Sequence, residues 1–316
     1  MKEWKGFTKG VNLGGWMSQC DYSRERLKTF ISEYDIRKIS SWGADHVRLP
    51  IDFNILEYPD GSPKDEGFEH IDRALDMCFL HGLNVILDLH KTAGFSFDFG
   101  EKEAGFFENP ALQARFYALW ERIAHRYGNC SRHLAFELLN EVTEKEYIGK
   151  WNRISKECIR RIRVYAPDTV ILVGSYYNNS ATTVHELAAP YDNRVVYNFH
   201  CYEPLKFTHQ GATWTPAINP EERVSFEESN ITTEYFEELF ASAIEAARKN
   251  NTILYCGEYG VIDRVSPEDT LKWYKTIHAV FEKYGIGRSA WSYKEMDFGL
   301  SDARLDGVRE ELIKYL

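Results

Sequence analysis

Residues 84–90 read Asn-Val-Ile-Leu-Asp-Leu-His, and this stretch has the pattern that decides the fold. It is a short apolar run with little alternation between polar and apolar residues, which is typical of a β-strand buried on both faces. Such strands belong to parallel sheets that are covered by helices. The run ends in two polar side chains, Asp88 and His90.

Seven further runs of the same kind occur along the chain, each followed by a turn and a segment with helical periodicity. They cover residues 10–14, 46–51, 134–141, 169–175, 195–202, 253–260 and 287–293. Helices are predicted at 33–42, 68–81, 109–128, 146–166, 182–188, 232–249, 267–284 and 306–315. Two of them open with an N-cap residue and a proline at the first helical position, Asn109-Pro110 and Ser266-Pro267.

Eight strands that alternate with eight helices predict an α/β protein with the (β/α)8 TIM barrel fold. A doubly wound open sheet is the alternative, but no G-x-G-x-x-G motif follows the first strand. We expect residues 1–316 to form one barrel domain. The longest irregular connection, at about 203–231, follows the sixth strand, and a loop of this length in a compact domain is usually functional.

The composition excludes several classes of function. With 38 Lys and Arg against 48 Asp and Glu, the formal net charge is −10, and no basic block occurs. Neither nucleic acid nor a membrane is therefore expected as a partner, and no apolar run reaches the ~20 residues that span a bilayer. Residues 1–6 lack the apolar segment of a signal peptide, so we expect a cytoplasmic monomer, or a secreted one if a leader has been removed.

Cysteine and aromatic residues add two further expectations. The six cysteines are scattered singly without a C-x-x-C pair, so no zinc site is expected, and we expect at least three of them to be free thiols. The chain is rich in aromatic residues, with 8 Trp, 19 Tyr and 19 Phe. Such rings fill cores, but they also stack on the apolar faces of sugars.

The functional residues of a TIM barrel lie at the C-terminal ends of its strands. Six predicted strands carry polar or aromatic groups at or near that end: Arg48, Asp88 with His90, Asn140 with Glu141, His200 with Tyr202, Glu258, and Trp291. Glu141 and Glu258 stand on strands four and seven, which face one another across the barrel mouth. Two carboxyl groups that face a common space are the pattern of a glycosidase, in which one protonates the leaving oxygen and the other attacks the anomeric carbon.

These strand ends, with G-V-N-L-G-G-W at 10–16, F-E-L-L-N-E at 136–141 and G-E-Y-G at 257–260, resemble glycoside hydrolase family 5. This is a family of retaining β-glycanases that includes cellulases, and the resemblance covers the chain from 10 to about 300. It implies a barrel with a β-linked polysaccharide or oligosaccharide as substrate and no cofactor or metal. The family usually reads N-E-P after strand four, whereas Val142 follows Glu141 here.

The resemblance also implies roles for individual residues. Glu141 would be the general acid/base and Glu258 the nucleophile, with Arg48 and Tyr202 beside Glu258. Asn140 would bind the sugar 2-hydroxyl and help to orient the nucleophile, and Trp291 would form the floor of the subsite that holds the attacked sugar. His90 and His200 would hydrogen-bond the sugar or the catalytic carboxyl groups.

Aromatic residues outside the motifs fall into two groups. Those inside or at the ends of predicted helices are expected in the core: Trp42, Trp120, Trp151 and Trp273. Those in connections on the active-site face are candidates for stacking on substrate: Trp16, Phe95, Phe97 and Trp214.

The leading hypothesis is a retaining endo-β-1,4-glucanase, because short connections favour an open cleft. An exo-β-1,3-glucanase or a β-mannanase of the same family remains open, since G-V-N-L-G-G-W also resembles the β-1,3-glucanase branch. A different class is a Schiff-base aldolase-type barrel that uses Lys91 or Lys294. A barrel that only binds its ligand would leave the two glutamates unexplained.

Overall fold

The computed structural model describes residues 2–98 and 104–316, which form a closed barrel of eight parallel strands. Neighbouring strands pair in sequence order, and the eighth pairs back to the first. The strands are β1 Lys9–Asn12, β2 His46–Asp52, β3 Asn84–Lys91, β4 Leu134–Glu137, β5 Ile171–Gly174, β6 Val195–Cys201, β7 Leu254–Tyr259 and β8 Gly287–Ala290. The predicted (β/α)8 barrel is confirmed.

The α-helices lie between the strands. They are α1 Arg24–Thr29, α2 Glu33–Ser41, α3 Phe53–Leu56, α4 Asp65–Leu80, α5 Pro110–Tyr127, α6 Ile148–Tyr165, α7 Tyr176–Asn179, α8 Leu205–Thr208, α9 Thr233–Lys249, α10 Pro267–Tyr284 and α11 Arg309–Leu312. Both predicted caps are confirmed, because Asn109 accepts a hydrogen bond from the Ala111 amide and Ser266 from the Asp269 amide.

Some predicted boundaries are wrong. β4 ends at Glu137 and not at 141, and β8 ends at Ala290, because the chain leaves the sheet before its functional residues. The helix predicted at 182–188 is a 3-10 segment, Ala181–Glu186, and the closing helix is a single α-turn followed by 3-10 turns. The short helices α1, α3, α7 and α8 were not predicted, since a single turn leaves no periodic signal.

The hydrophobic core has two parts. The larger part fills the space between the barrel and its helices and contains Trp120, Trp151 and Trp273, each fully buried, with Trp42 at its edge. The smaller part fills the lower barrel, where Trp4 stacks on Phe7 beneath the strands. Apolar side chains therefore close most of the N-terminal end of the barrel, where His46 and the Tyr255 hydroxyl form a buried polar pair.

A bulge in β7 turns Glu258 into the barrel. His200 of β6 pairs with Glu258 while the preceding Phe199 pairs with Cys256, so Gly257 is the extra residue. A side chain at Gly257 would lie within 2.7 Å of Asn198 Oδ1, and only glycine fits there. The carbonyl of Gly257 accepts hydrogen bonds from Asn12 and Ser289, which hold the bulge.

The connection after β6 is long and mostly irregular. Between Cys201 and Thr233 it contains only α8, and it includes a cis peptide bond between Glu203 and Pro204. All six cysteines are free thiols. Across the described ranges 2–98 and 104–316, none of the helices has the length and apolar character that a membrane crossing requires.

Gly67 provides a test of the packing between α3 and α4. A methyl group on Gly67 would lie 2.1 Å from the backbone oxygen of Ile55, which is too close for any contact. Gly67→Ala should lower the free energy of unfolding by about 1–3 kcal/mol through overpacking. Gly149→Ala is the matched control, since nothing lies within 4 Å of its added methyl group. Urea unfolding should show the control equal to or more stable than the wild type, and equal stabilities for both variants would contradict the packing argument.

Candidate active site

Arg48 lies at the centre of the upper barrel and is completely buried. Its guanidinium group donates to both carboxylate oxygens of Glu137, at 2.7 and 2.9 Å, and to Glu258 Oε1 at 2.7 Å. It also lies 3.0 Å from Asp88 Oδ2 and donates to Asn140 Oδ1 at 2.8 Å. One cation thus fixes groups from β3, β7 and the segment after β4.

Glu258 is held by two donors on opposite oxygens. Arg48 Nη1 donates to Oε1, and the Tyr202 hydroxyl donates to Oε2 at 2.8 Å. His200 Nδ1 lies 3.6 Å from Oε2. The two donors fix the direction of the carboxylate and stabilise its ionised form.

Glu141 lies past the end of β4 in a left-handed backbone conformation, with φ 42°. His200 Nδ1 lies 2.7 Å from its Oε1, and Asn178 Nδ2 donates to its Oε2 at 3.0 Å. Within residues 2–98 and 104–316, neither lysine nor arginine forms an ion pair with this carboxyl group. A carboxylate oxygen of Glu141, one of Glu258 and a ring nitrogen of His200 all lie within 4.8 Å of one another.

Burial dominates the ionisation of the two glutamates and raises the pKa of each to about 7. Two such close carboxylates cannot both ionise easily, so the pair shares a proton near neutral pH. Arg48 and Tyr202 donate to Glu258 and favour its ionised form, so Glu141 is the better placed of the two groups to keep the proton. Burial also lowers the pKa of His200 to about 4, which keeps this imidazole neutral.

His90, Trp291 and Phe97 form one aromatic cluster beside the carboxyl pair. His90 is parallel to Trp291 with 5.7 Å between the ring centres, and Phe97 packs edge-on against His90 at 4.8 Å. Asp88 Oδ2 lies 2.5 Å from His90 Nδ1 and fixes the imidazole. Burial lowers the pKa of His90 well below its usual value.

The four aromatic candidates for stacking do not share one environment. Trp16 is fully buried and donates its indole N–H to the Leu27 carbonyl, and Phe95 packs on Phe107 within the core. These two rings pack within the core, which corrects the expectation for them. Phe97 is partly buried at the cluster just described, while Trp214 is exposed and packs near His209.

The two lysines that a Schiff-base mechanism could use, Lys91 and Lys294, are both in ion pairs. Lys91 forms an ion pair with Asp98 and Lys294 with Asp35, at 3.3 Å in the second case. Both ammonium groups are thus engaged by a carboxylate.

One group in the described part of the chain has the spacing of metal ligands, namely Glu141, His200 and Glu258. Its members already contact each other, since the His200 imidazole lies at hydrogen-bonding distance from Glu141. A metal ion would have to displace that contact, and the pairing accounts for the arrangement without one.

Several residues of this site were not predicted from the sequence. Glu137 and Asn198 lie deeper in the barrel, where Asn198 Nδ2 donates to Glu137 Oε1 at 2.8 Å. Glu137 could have been found, because it lies inside an apolar strand four residues before Glu141. A carboxylate in such a buried strand needs a charged partner, which indicates a polar site. Asn178 belongs to a turn after β5 that carried no recognisable motif.

Comparison with known proteins identifies the family. The family model for cellulase, described as glycosyl hydrolase family 5, matches residues 5–297. The chain belongs to glycoside hydrolase family 5. The carboxyl pair of Glu141 and Glu258 is therefore interpreted as that of a glycoside hydrolase.

Two relatives of this family 5 chain are similar to it over most of their length. Cellodextrinase A of Ruminococcus flavefaciens is 63% identical, covering 90% of this chain and 84% of the relative. Endoglucanase C of Acetivibrio thermocellus is 37% identical and covers 98% of both chains. Among solved structures, the cellulose synthase subunit Z of Clostridioides difficile matches with a TM-score of 0.83 and 26% identity, over 98% of this chain and 99% of that one.

The hydrogen bond from Tyr202 to Glu258 can be tested by titration. A donor to the charged form lowers the pKa of a carboxyl group, so Tyr202→Phe should raise the apparent pKa of Glu258 by about half to one unit. Carbon-13 NMR of glutamate-labelled protein measures this, with Glu258→Gln identifying the resonance. Tyr197→Phe is the control, since its hydroxyl donates to the Ala188 carbonyl instead. A Glu258 pKa that is unchanged in Tyr202→Phe would show that the bond does not stabilise the carboxylate.

Proposed function

We propose that this family 5 enzyme is a retaining endo-β-1,4-glucanase that hydrolyses β-glucan by double displacement. The observation that carries the proposal is the closeness of the two carboxyl groups, with oxygens of Glu141 and Glu258 within 4.8 Å. Retaining enzymes keep their carboxyl groups about 5–5.5 Å apart, whereas inverting enzymes need about 6.5–9.5 Å to admit a water molecule.

The environments of the two glutamates support different roles in this mechanism. Glu258, held by Arg48 and Tyr202, attacks the anomeric carbon as an ionised nucleophile. Glu141 carries the shared proton and donates it to the oxygen of the departing sugar. In the second step Glu141 accepts a proton from water, and that water releases the sugar from Glu258.

The remaining polar residues suit contacts with the attacked sugar. Asn140 Nδ2 is buried and meets no hydrogen-bond acceptor within 2–98 and 104–316, while its Oδ1 is fixed by Arg48. This free donor suits the sugar 2-hydroxyl. His90 and His200 would contact further hydroxyls, and Trp291 would lie beneath the ring. Phe97 and Trp214 are the aromatic residues that remain candidates for neighbouring subsites.

The names of the relatives favour β-1,4-glucan over β-1,3-glucan or mannan. One relative is called an endoglucanase and a more similar one a cellodextrinase. The cellodextrinase at 63% identity supports a second candidate, an enzyme that prefers short soluble cello-oligosaccharides to the polymer.

Product analysis distinguishes these candidates. Carboxymethyl cellulose, mixed-linkage glucan, laminarin, mannan and cellotetraose are each incubated with the enzyme. An endoglucanase should lower the viscosity of the β-1,4-containing glucans early, and a cellodextrinase should cleave cellotetraose rapidly with little loss of viscosity. Faster cleavage of laminarin or mannan than of any β-1,4-glucan would contradict the proposal.

The roles of the carboxyl groups are tested by azide rescue. Glu141→Ala should lose activity severely on glucan, where the departing alcohol needs a proton, and far less on an aryl cellobioside with an acidic phenol. Azide needs no general base, so it should restore turnover of the aryl substrate and yield a β-glycosyl azide.

Glu258→Ala is the matched variant, and any rescue of it should give the α-glycosyl azide. Equal losses of Glu141→Ala on both substrates, without β-product, would assign the acid/base role to another residue. Proton NMR of fresh wild-type product should show the β-anomer first.

A further inference from the structure

The short segment α7 that follows β5 is a turn with an unusual backbone and not a regular right-handed helix. Tyr177, Asn178 and Asn179 have φ values of 52°, 54° and 58°, so three successive residues adopt the left-handed conformation. This conformation costs free energy for any residue with a β-carbon, although asparagine tolerates it best. Such strain persists only where surrounding contacts enforce it, and it is concentrated at functional sites.

Backbone hydrogen bonds join this turn to the segment that follows Glu141. The amide of Tyr177 donates to the Thr143 carbonyl at 3.1 Å, and the amide of Asn178 donates to the Val142 carbonyl at 3.0 Å. Gly174 makes room for the turn, because a methyl group there would lie 2.2 Å from Asn179 Oδ1. The turn is therefore fixed against the loop that carries Glu141.

The side chains of the turn reach both oxygens of Glu141. Asn178 Nδ2 donates directly to Oε2 at 3.0 Å. Asn179 Nδ2 lies 3.4 Å from His200 Nε2, and Nδ1 of the same imidazole lies 2.7 Å from Glu141 Oε1. Because an amide nitrogen can only donate, this network assigns the His200 proton to Nδ1, which then donates to Glu141.

We propose that Asn178 is a positioning residue that orients the Glu141 carboxyl group for proton transfer to and from the leaving group. The proposal rests on the acid/base role that the proposed function gives to Glu141. The hydrogen bond from Asn178 strengthens as Glu141 gives up its proton and becomes negative. It is thus stronger in the transition state than in the ground state, which is the condition for raising kcat.

The direction of the effect on ionisation follows from the same bond. Burial raises the pKa of Glu141 and the Asn178 hydrogen bond lowers it, so removal of the amide leaves the pKa higher. Among the described residues, the other charged or titratable groups that act on Glu141 are Arg48, Asp88, Asp98, Glu137, His200, Tyr202 and Glu258. Asn178 is neutral, and its replacement by another neutral residue leaves all of these charges in place.

Asn178→Gly separates the role of the side-chain amide from that of the turn backbone. Glycine adopts the left-handed backbone without cost, and Asn178 is exposed, so the substitution removes the amide but keeps the turn. Asn251→Gly is the matched control, because Asn251 is also exposed and left-handed, with φ 50°, but precedes β7 at the opposite end of the barrel. Asn178→Asp keeps the shape of the side chain and replaces the donor by a negative charge.

Kinetics on two substrates test the proposal. Asn178→Gly should reduce kcat/KM about 10-fold on cellotetraose and less than about twofold on an aryl cellobioside with an acidic phenol, since only the former needs a well-placed acid. The alkaline limb of kcat/KM on cellotetraose should move upward by about half to one unit, because Glu141 keeps its proton to higher pH. Asn178→Asp should move it further in the same direction, and Asn251→Gly should match the wild type.

Two results would overturn the proposal, and they have different meanings. In the first, the wild type cleaves cellotetraose, but Asn178→Gly loses kcat/KM equally on both substrates and its alkaline limb does not move. The turn would then have only a structural role. A wild type that cleaves neither substrate would instead refute the proposed function, and the positioning role would fall with it. Rescue of the cellotetraose rate by Asn178→Gln would support donation by the amide.

Discussion

The buried guanidinium of Arg48 is the constraint on which the upper barrel depends. A charge without solvent contact must be paired, because its desolvation cost is several kcal/mol or more. The chain supplies Asp88 from β3, Glu137 from β4 and Glu258 from β7, and amide oxygens complete the coordination. Since each partner comes from a different strand, pairing Arg48 also fixes how these strands are arranged around the barrel axis. The geometry of Glu258 is one result of that arrangement.

The same pairing leaves more carboxyl groups than cations in the site. Asp88, Glu137, Glu141 and Glu258 surround one arginine, and burial raises the pKa of all four. Burial therefore favours the protonated forms of these groups, and hydrogen bonding opposes it to a different degree at each of them. Glu258 receives a cationic donor and a phenol, whereas Glu141 receives an amide and a neutral imidazole. Two chemically identical side chains thus meet different partners, which favour the ionised form of Glu258 more than that of Glu141.

The fold and the residues around the carboxyl pair could be predicted from sequence because their signals are local. Buried parallel strands are uninterrupted apolar runs, and the residue that ends each run reaches the barrel mouth. The supporting residues could not be found this way, since Asn178 contacts Glu141 from 37 positions away through a turn without a motif. Trp16 was misjudged for a related reason, because its position after β1 does not reveal that the ring turns toward Leu27. Gly257 did carry a signal, since a glycine inside a strand indicates a bulge.

The departure at Val142 can be understood from contacts between loops. A proline after the acid/base glutamate would restrict the backbone through its own ring, and valine imposes no such restriction. Here Glu141 is left-handed, and the carbonyls of Val142 and Thr143 accept hydrogen bonds from the turn after β5. The restriction thus comes from a neighbouring loop and not from the residue itself. The turn at 177–179 therefore helps to hold the loop that carries Glu141, which lies past the end of β4.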